Sequence, residues 1–194
     1  MAGRVEGIYI APKKKELPKP VDRVRAVAGR GLEGNRHFYD EAPPGTALTL
    51  IAAEALAEGA AASGIPLDAD ESGRNVLTSG IDLNALVGER FRVGNVECVG
   101  VELCEPCTTL EGATRPGVIK AYVHRAGLNA DILTDGEIAV GDVECVGVEL
   151  CEPCTTLEGA TRPGVIKAYV HRAGLNADIL TDGEIAVGDT VERM

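Results

Sequence analysis

Two cysteines, Cys104 and Cys107, are separated by two residues in the polar segment ELCEPCTTLE (residues 102–111). A cysteine thiolate is both a nucleophile and a soft metal ligand, so redox, sulfur-transfer and metal chemistry are all open to this pair. Cys107 follows a proline in a polar stretch, and we therefore predict that its thiol is exposed and reactive. Cys98 lies in an alternating β segment, which predicts a small, buried hydrophobic side chain.

The cysteine spacing leaves three interpretations open. The two-residue spacing matches that of a redox dithiol. Alternatively, zinc could be bound jointly with a second pair, Cys151 and Cys154, but forty-three residues separate the pairs, against the ~15–20 that are usual. The third interpretation is that Cys104, like Cys98, is simply a small buried residue.

Two further segments carry residues that suit an anion. Residues 29–37 form a glycine-punctuated loop in which backbone amides could approach an anion while Arg36 binds it bidentately. The second segment is Gly73-Arg74-Asn75. For both segments the alternative is a structural turn, with Arg36 in a surface ion pair. His124, on the polar face of a predicted helix, is expected to be solvated.

Short strands dominate the pattern along the chain. Alternating or continuous apolar runs predict strands that include residues 4–10, 90–93 and 96–103. Helices are predicted over residues 52–63 and 116–126, and a loop over 104–114. The fold class predicted is therefore mainly β with short helices (α+β), as a mixed β-barrel.

Residues 96–142 and residues 143–189 have the same 47-letter sequence. Two identical copies fit a solenoid poorly, because solenoids need about three or more repeats. We interpret the chain as a single domain over residues 1–194 that contains a recent or engineered duplication of a β-loop-α-β-β segment. The two copies compete for one place in the barrel, which predicts a homodimer in which one copy from each chain is exchanged or docked.

Composition limits the class of function. The formal net charge of −11 argues against nucleic-acid binding, which needs a basic surface. The sequence has no apolar run of about 18 residues, so no membrane span is expected. The N-terminal segment does not resemble a secretory signal, and a cytoplasmic location is the expectation. Each copy contributes an odd number of cysteines, which argues against a disulfide framework.

The motifs, taken in order, resemble the MOSC domain family, named for the C-terminal domain of the molybdenum-cofactor sulfurase, and especially its small stand-alone bacterial members. The matching stretches are GRGLEGNRHF (residues 29–38), GRNVLTSGIDLNALVGERFRVG (73–94), ELCEPCTTLE (102–111) and GEIAVGD (136–142). Two positions depart from the family pattern. Asn35 stands where members commonly have Asp, and Gly73 where they commonly have Arg.

The resemblance implies a molybdopterin-type molybdenum cofactor, a small anionic ligand, or a sulfur atom carried on a reactive cysteine. That cysteine corresponds to Cys107, with Cys154 as its copy. The cofactor-binding positions correspond to Arg36, His37, Arg74 and Asn75, while a metal ligand set is not specified. A cysteine desulfurase is the implied sulfur donor. Three alternatives stay open: molybdenum ligation by the cysteine, a thiol–disulfide enzyme, and a duplicated variant without catalytic activity.

Overall fold

The computed structural model describes residues 2–13, 16 and 18–146. These residues fall in one compact unit, Met1–Val146. The predictions that concern Cys154, the second copy as a whole and the exchanged homodimer therefore lie outside the described residues. The extent of a single domain over 1–194 and the homodimer both stay predictions.

The described part of the chain is mainly β, as predicted. In chain order its strands are β1 (Ala2–Ile10), β2 (Lys19–Val21), β3 (Arg23–Val27), β4 (Gly31–Leu32), β5 (Leu48–Ala52), β6 (Val76–Ser79), β7 (Arg90–Val93), β8 (Val96–Leu103), β9 (Leu128–Ile132), β10 (Gly136–Ala139) and β11 (Val143–Val146). Eight of them form one curled sheet in the order β11-β7-β8-β9-β5-β6-β1-β2, and β10-β3-β4 form a second sheet. The β5–β6 pair is parallel and the neighbouring β5–β9 pair is antiparallel, which makes the large sheet mixed.

The last described strand, β11, joins the two ends of the large sheet. It pairs antiparallel with β7 on one side and with the beginning of β1 on the other. The first copy of the repeat supplies β8, β9 and β10, and β11 consists of the first four residues of the second copy. A single residue, Asp142, lies between the last turn of the first copy and β11. The first four residues of the second copy therefore reach the strand edge between β1 and β7 through a very short connection.

The core lies inside the curled sheet and is mostly aliphatic. On β8 the side chains of Val96 and Cys98 are buried and alternate with half-buried neighbours, as strand alternation predicts. On the paired strand β9, Leu128, Ala130 and Ile132 are buried in the same way. The predicted burial of Cys98 is confirmed. Its equivalent in the second copy, Cys145, belongs to β11, whose side chains lie outside the described part.

Three short α-helices and a 3-10 helix accompany the strands. They are α1 (Ala53–Ser63), α2 (Thr108–Ala113), α3 (Val118–Tyr122) and the 3-10 helix Leu83–Leu86. Helix α1 and the 3-10 helix contact the large sheet, α3 packs against α1, and α2 packs against α3. The prediction for α1 is confirmed to within one residue. The prediction of a loop over 104–114 is wrong, because α2 occupies its second half, and the helix predicted over 116–126 is shorter and ends at Tyr122.

Side-chain contacts explain both differences. The Glu111 carboxylate of α2 accepts hydrogen bonds from the backbone N–H groups of Gly117 and Ile119, each at 3.0 Å, and so fixes the turn into α3. Beyond α3 the chain turns sharply, because His124 adopts the left-handed conformation at φ 61°. Gly127 has φ 116°, and a Cβ there would come within 2.0 Å of the Leu50 carbonyl oxygen, so only glycine fits.

Candidate functional site

A cavity of about 200 Å³ opens where the loop after β4, the segment before β6 and the end of β8 come together. Its lining includes Arg36, His37, Arg74 and Asn75, and also the side chain of Cys104. The structure thus brings together the four residues that the resemblance marks as cofactor-binding, although they come from two segments far apart in sequence. A larger cavity of about 510 Å³ contains none of these side chains. Its size alone does not make it the site, because the convergent cationic and thiol groups line the smaller one.

Arg36 is the cation in this cavity with the most unused hydrogen-bond donors. Its Nε donates to His37 Nε2 at 3.2 Å, and its backbone N–H donates to the Ala11 carbonyl at 2.8 Å. No described residue accepts a hydrogen bond from its two terminal amino groups. These donors match the fork geometry by which arginine holds carboxylate or phosphate.

His37 holds Arg36 in place as a neutral imidazole. Because its Nε2 accepts from Arg36, the ring proton belongs on Nδ1, which then donates to the Tyr39 hydroxyl at 2.9 Å. Burial, and secondly the positive charge of Arg36, lower the pKa of His37. The charge of the cavity at neutral pH therefore comes from the arginines.

Arg74 has a different role from the one expected of an anion-binding residue. Its Nε donates to the Ala126 carbonyl at 2.8 Å, Nη1 to the Ser72 carbonyl at 2.9 Å and Nη2 to the Cys104 carbonyl at 2.9 Å. Three of the five N–H groups of this guanidinium are therefore used to join three loops. The side chain still brings a positive charge to the cavity, but chiefly it positions the loop that carries the cysteines.

Asn75 is likewise occupied by its neighbours. Its side-chain oxygen accepts from the Thr49 hydroxyl at 3.0 Å, and its amide nitrogen donates to the Tyr9 carbonyl at 3.2 Å. The residue is buried, so these bonds satisfy groups that would otherwise destabilise the fold. Through these two contacts Asn75 stabilises the wall of the cavity.

The three cysteines whose side chains are described differ in their exposure, and two of them have thiol pKa values shifted in opposite directions. Cys98 is buried, Cys104 is half-buried and Cys107 is exposed. Burial raises the pKa of Cys104, although the nearby charge of Arg74 opposes the shift. The pKa of Cys107 is lowered, first by the backbone N–H of Leu110 and then by that of Thr109. Cys107 is the residue that precedes α2, and its side chain forms no capping hydrogen bond of ordinary geometry with the helix. The amides therefore act on the sulfur through their electrostatic field. Cys107 thus has the larger thiolate fraction near neutral pH.

Cys107 does not line the cavity; Cys104 does. The two thiols lie on one loop whose backbone is anchored at Cys104. The N–H of Cys104 donates to the Gly127 carbonyl at 2.8 Å, and its carbonyl accepts from Arg74. The cysteine loop therefore separates an exposed thiol of lowered pKa from a half-buried thiol of raised pKa in the residue that lines the cavity.

A second anchor lies between the two cysteines, at Glu105. One of its carboxylate oxygens accepts from the His124 backbone N–H at 2.8 Å, and the other lies 2.7 Å from His124 Nδ1. Burial acts to raise the pKa of Glu105, but the two hydrogen bonds from His124 outweigh it and lower the pKa. His124 is exposed, as expected, yet it contacts the cysteine loop. Sequence reasoning missed this contact because nothing in the spacing of residues 105 and 124 indicates it.

The described residues include no group of three or more His, Cys, Asp or Glu side chains placed to hold a metal ion. The zinc interpretation also requires Cys151 and Cys154, which lie outside the described part of the chain. Among the helices of that part, none has the length and apolar character needed to cross a membrane.

Comparisons with known proteins agree with the architecture. The model of the MOSC domain matches residues 33–145. The fold is similar to that of the YuaD protein from Bacillus subtilis, with a TM-score of 0.63, 22% identity, and coverage of 74% of this chain and 94% of that one. It is also similar to YiiM from Geobacillus stearothermophilus, with a TM-score of 0.59, 19% identity and 75% coverage of each chain.

A third similar structure is YiiM from Escherichia coli, with a TM-score of 0.55, 16% identity, and coverage of 81% of this chain and 76% of that one. At these identities the likeness shows the fold alone. No curated protein matches the sequence. The part of the chain matched by the domain model contains the cavity residues 36, 37, 74 and 75 and the cysteine loop.

Proposed function

Because this chain belongs to the MOSC domain family, we propose that it carries a sulfur atom on Cys107 and binds the anionic part of a sulfur acceptor at Arg36. The observation that carries the proposal is the pairing of an exposed thiol of lowered pKa with a nearby cavity whose arginine has unused donors. A sulfur carrier needs an accessible thiolate, and an anionic acceptor needs a fixed cation.

The loading step is a thiol–persulfide exchange. The thiolate of Cys107 attacks the outer sulfur of a donor persulfide, such as that formed by a cysteine desulfurase. A bond forms between that sulfur and Cys107 Sγ, the sulfur–sulfur bond of the donor breaks, and the donor leaves as a thiolate. The lowered pKa of Cys107 increases the fraction of thiolate that can make the attack.

The cavity fits one end of a molybdopterin-type cofactor rather than all of it. Its volume of about 200 Å³ is below the ~300–1,000 Å³ of sites that enclose a small molecule. The unused donors of Arg36, held by His37, fit a phosphate group, whereas Arg74 and Asn75 stabilise the walls. When bound, the cofactor supplies the centre that accepts sulfur. The residues of this chain hold its anionic end and keep Cys107 close.

Two alternatives make different predictions. If Cys107 ligates molybdenum directly, elemental analysis of protein purified from a cofactor-producing host should find molybdenum that is lost in the variant Cys107→Ser. If the protein is a thiol–disulfide enzyme in which Cys104 attacks the substrate, Cys104 must be accessible. Its partial burial and raised pKa favour Cys107 as the attacking group instead.

Mass spectrometry of the full chain tests the sulfur-carrier proposal. The protein is incubated with a cysteine desulfurase and cysteine, excess donor is removed, and exposed groups are alkylated before digestion with trypsin. The first copy's cysteines lie on the tryptic peptide of residues 93–120 and the second copy's on that of residues 126–167, so the copies are distinguished. The proposal predicts one added sulfur on Cys107. Addition that is unchanged in Cys107→Ser would contradict it.

A further inference from the structure

We propose that Cys104 is the resolving thiol of a Cys107 persulfide, so that this chain releases its sulfur as hydrosulfide. The inference rests on the proposed function, because it requires Cys107 to carry sulfur. It goes further by naming a chemical form in which the sulfur leaves, and by giving a role to a second cysteine.

The arrangement of the loop supports this role. Cys104 and Cys107 are separated by Glu105 and Pro106, a spacing that allows a disulfide to form within one turn of chain. The loop is held at Cys104 by Arg74 and at Glu105 by His124, so two side chains anchor the segment that begins at the Cys104 thiol. Fixed neighbouring thiols react as an intramolecular pair and gain the advantage of high effective concentration.

The two thiols have different surroundings, which suit them to different steps. Cys107 is exposed and can meet a donor protein, whereas Cys104 is half-buried and lines the cavity with Arg36. A donor therefore reaches Cys107 first. Burial also keeps Cys104 mostly protonated, so it does not compete for the incoming sulfur.

Cys104 releases the carried sulfur by forming a disulfide with Cys107. Cys104 gives its proton to solvent, and its sulfur attacks Cys107 Sγ. A bond forms between the two Sγ atoms, and the bond between Cys107 Sγ and the outer sulfur breaks. The outer sulfur of the persulfide anion leaves with the electron pair and takes up a proton from solvent, which gives hydrosulfide. The carried sulfur is reduced by two electrons, and the two cysteines are oxidised to a disulfide. A dithiol reductant, whether a protein or a small molecule, then restores both thiols.

The experiment uses the full chain with Cys151→Ser and Cys154→Ser, so that only the first copy can respond. The protein is loaded with sulfur from inorganic polysulfide, separated from excess reagent and kept without reductant. Hydrosulfide is measured over time, and the peptide of residues 93–120 is examined for a Cys104–Cys107 disulfide. We expect hydrosulfide and disulfide to appear in equal amounts. Adding dithiothreitol should then return both thiols.

Three variants separate the possible outcomes. Cys104→Ser and Cys104→Ala should both load sulfur on Cys107 but lose reductant-free release, whereas Thr108→Ser, a conservative change in the same loop, should behave like its parent. Release that persists in both Cys104 variants, or release without disulfide in the parent, overturns the inference and leaves the sulfur-carrier proposal standing. Loading that does not depend on Cys107 overturns the sulfur-carrier proposal itself. Because disulfide mapping is done on the parent, the test does not depend on any variant folding.

Discussion

The Nη2 group of Arg74 donates a 2.9 Å hydrogen bond to the carbonyl oxygen of Cys104. This contact links the segment before β6 to the end of β8, and it directs the positive charge of Arg74 toward both thiols. The residue that the family resemblance marks as a ligand contact is thus chiefly the residue that positions the cysteine loop.

The first prediction concerns the forked shape of the Arg74 guanidinium, which lets it bind three carbonyl groups. In Arg74→Lys the charge remains, but one ammonium cannot reach three carbonyls in different loops. Hydrogen bonds from charged groups contribute ~1.5–3 kcal/mol each, and we expect a loss of about 2 kcal/mol or more in the free energy of unfolding. Urea denaturation measures it. Arg36→Lys is the matched control and should change stability by less than about 0.5 kcal/mol. Equal stabilities of the two variants would contradict this account of Arg74.

Arg36 is predicted to be the main determinant of anion binding. Its terminal amino groups have no acceptor within the described structure, so Arg36→Ala should abolish phosphate binding while leaving the fold intact. Phosphate titration followed by calorimetry measures the binding. Arg23→Ala removes an exposed arginine that pairs with Glu137, and it should bind phosphate like the unmodified protein. An unchanged affinity in Arg36→Ala would show that the anion site lies elsewhere.

The three described cysteines should react with an alkylating reagent in a fixed order as the pH is raised. The lowered pKa of Cys107 makes it a thiolate at a lower pH than Cys104, whose pKa is raised, and Cys98 is protected by burial. We expect labelling of Cys107 to begin at the lowest pH, Cys104 to follow and Cys98 to react only on unfolding. Peptide mapping after short pulses at each pH gives the order. Cys98 reacting before Cys107 in the native protein would refute it.

Strand β11 allows a prediction about the repeat. It fills the edge between β1 and β7, so a chain that ends at residue 146 should keep the fold. A chain that ends at residue 142 leaves both strand edges unpaired and should be less stable or aggregate. Removing residues 143–189 places residues 190–193 directly after Asp142, and we expect them to take the same edge. Thermal melting of the three truncated chains measures this. Equal melting of the chains ending at 142 and 146 would show that β11 contributes nothing.

The strands were predictable because their signal is local. Alternation and β-branched residues define β7 and β8, and the predicted bounds agree with the structure. Helix α2 was not predictable, since Thr108 and Thr109 have low helix propensity and the contact that supports it, from Glu111 to the start of α3, is formed only in the folded chain.

The same distinction applies to the site. The family resemblance predicted that Arg36 and Arg74 lie in one cavity. It did not predict that Arg74 holds loops together while Arg36 keeps unused donors, because this depends on where carbonyl groups lie in the folded chain. The contact of His124 with Glu105 joins a left-handed residue to a loop nineteen positions earlier, and it too exists only in the tertiary structure.

The most direct test of the whole account is the location of carried sulfur. Full-length protein is loaded by a cysteine desulfurase and cysteine, alkylated and digested, and the peptide of residues 93–120 is sequenced by mass spectrometry. We expect one additional sulfur atom on Cys107, none on Cys98, and loss of the signal from this peptide in Cys107→Ser. A peptide that carries neither additional sulfur nor a Cys104–Cys107 disulfide, or that carries the sulfur equally in Cys107→Ser, would contradict the proposal that Cys107 is a sulfur carrier.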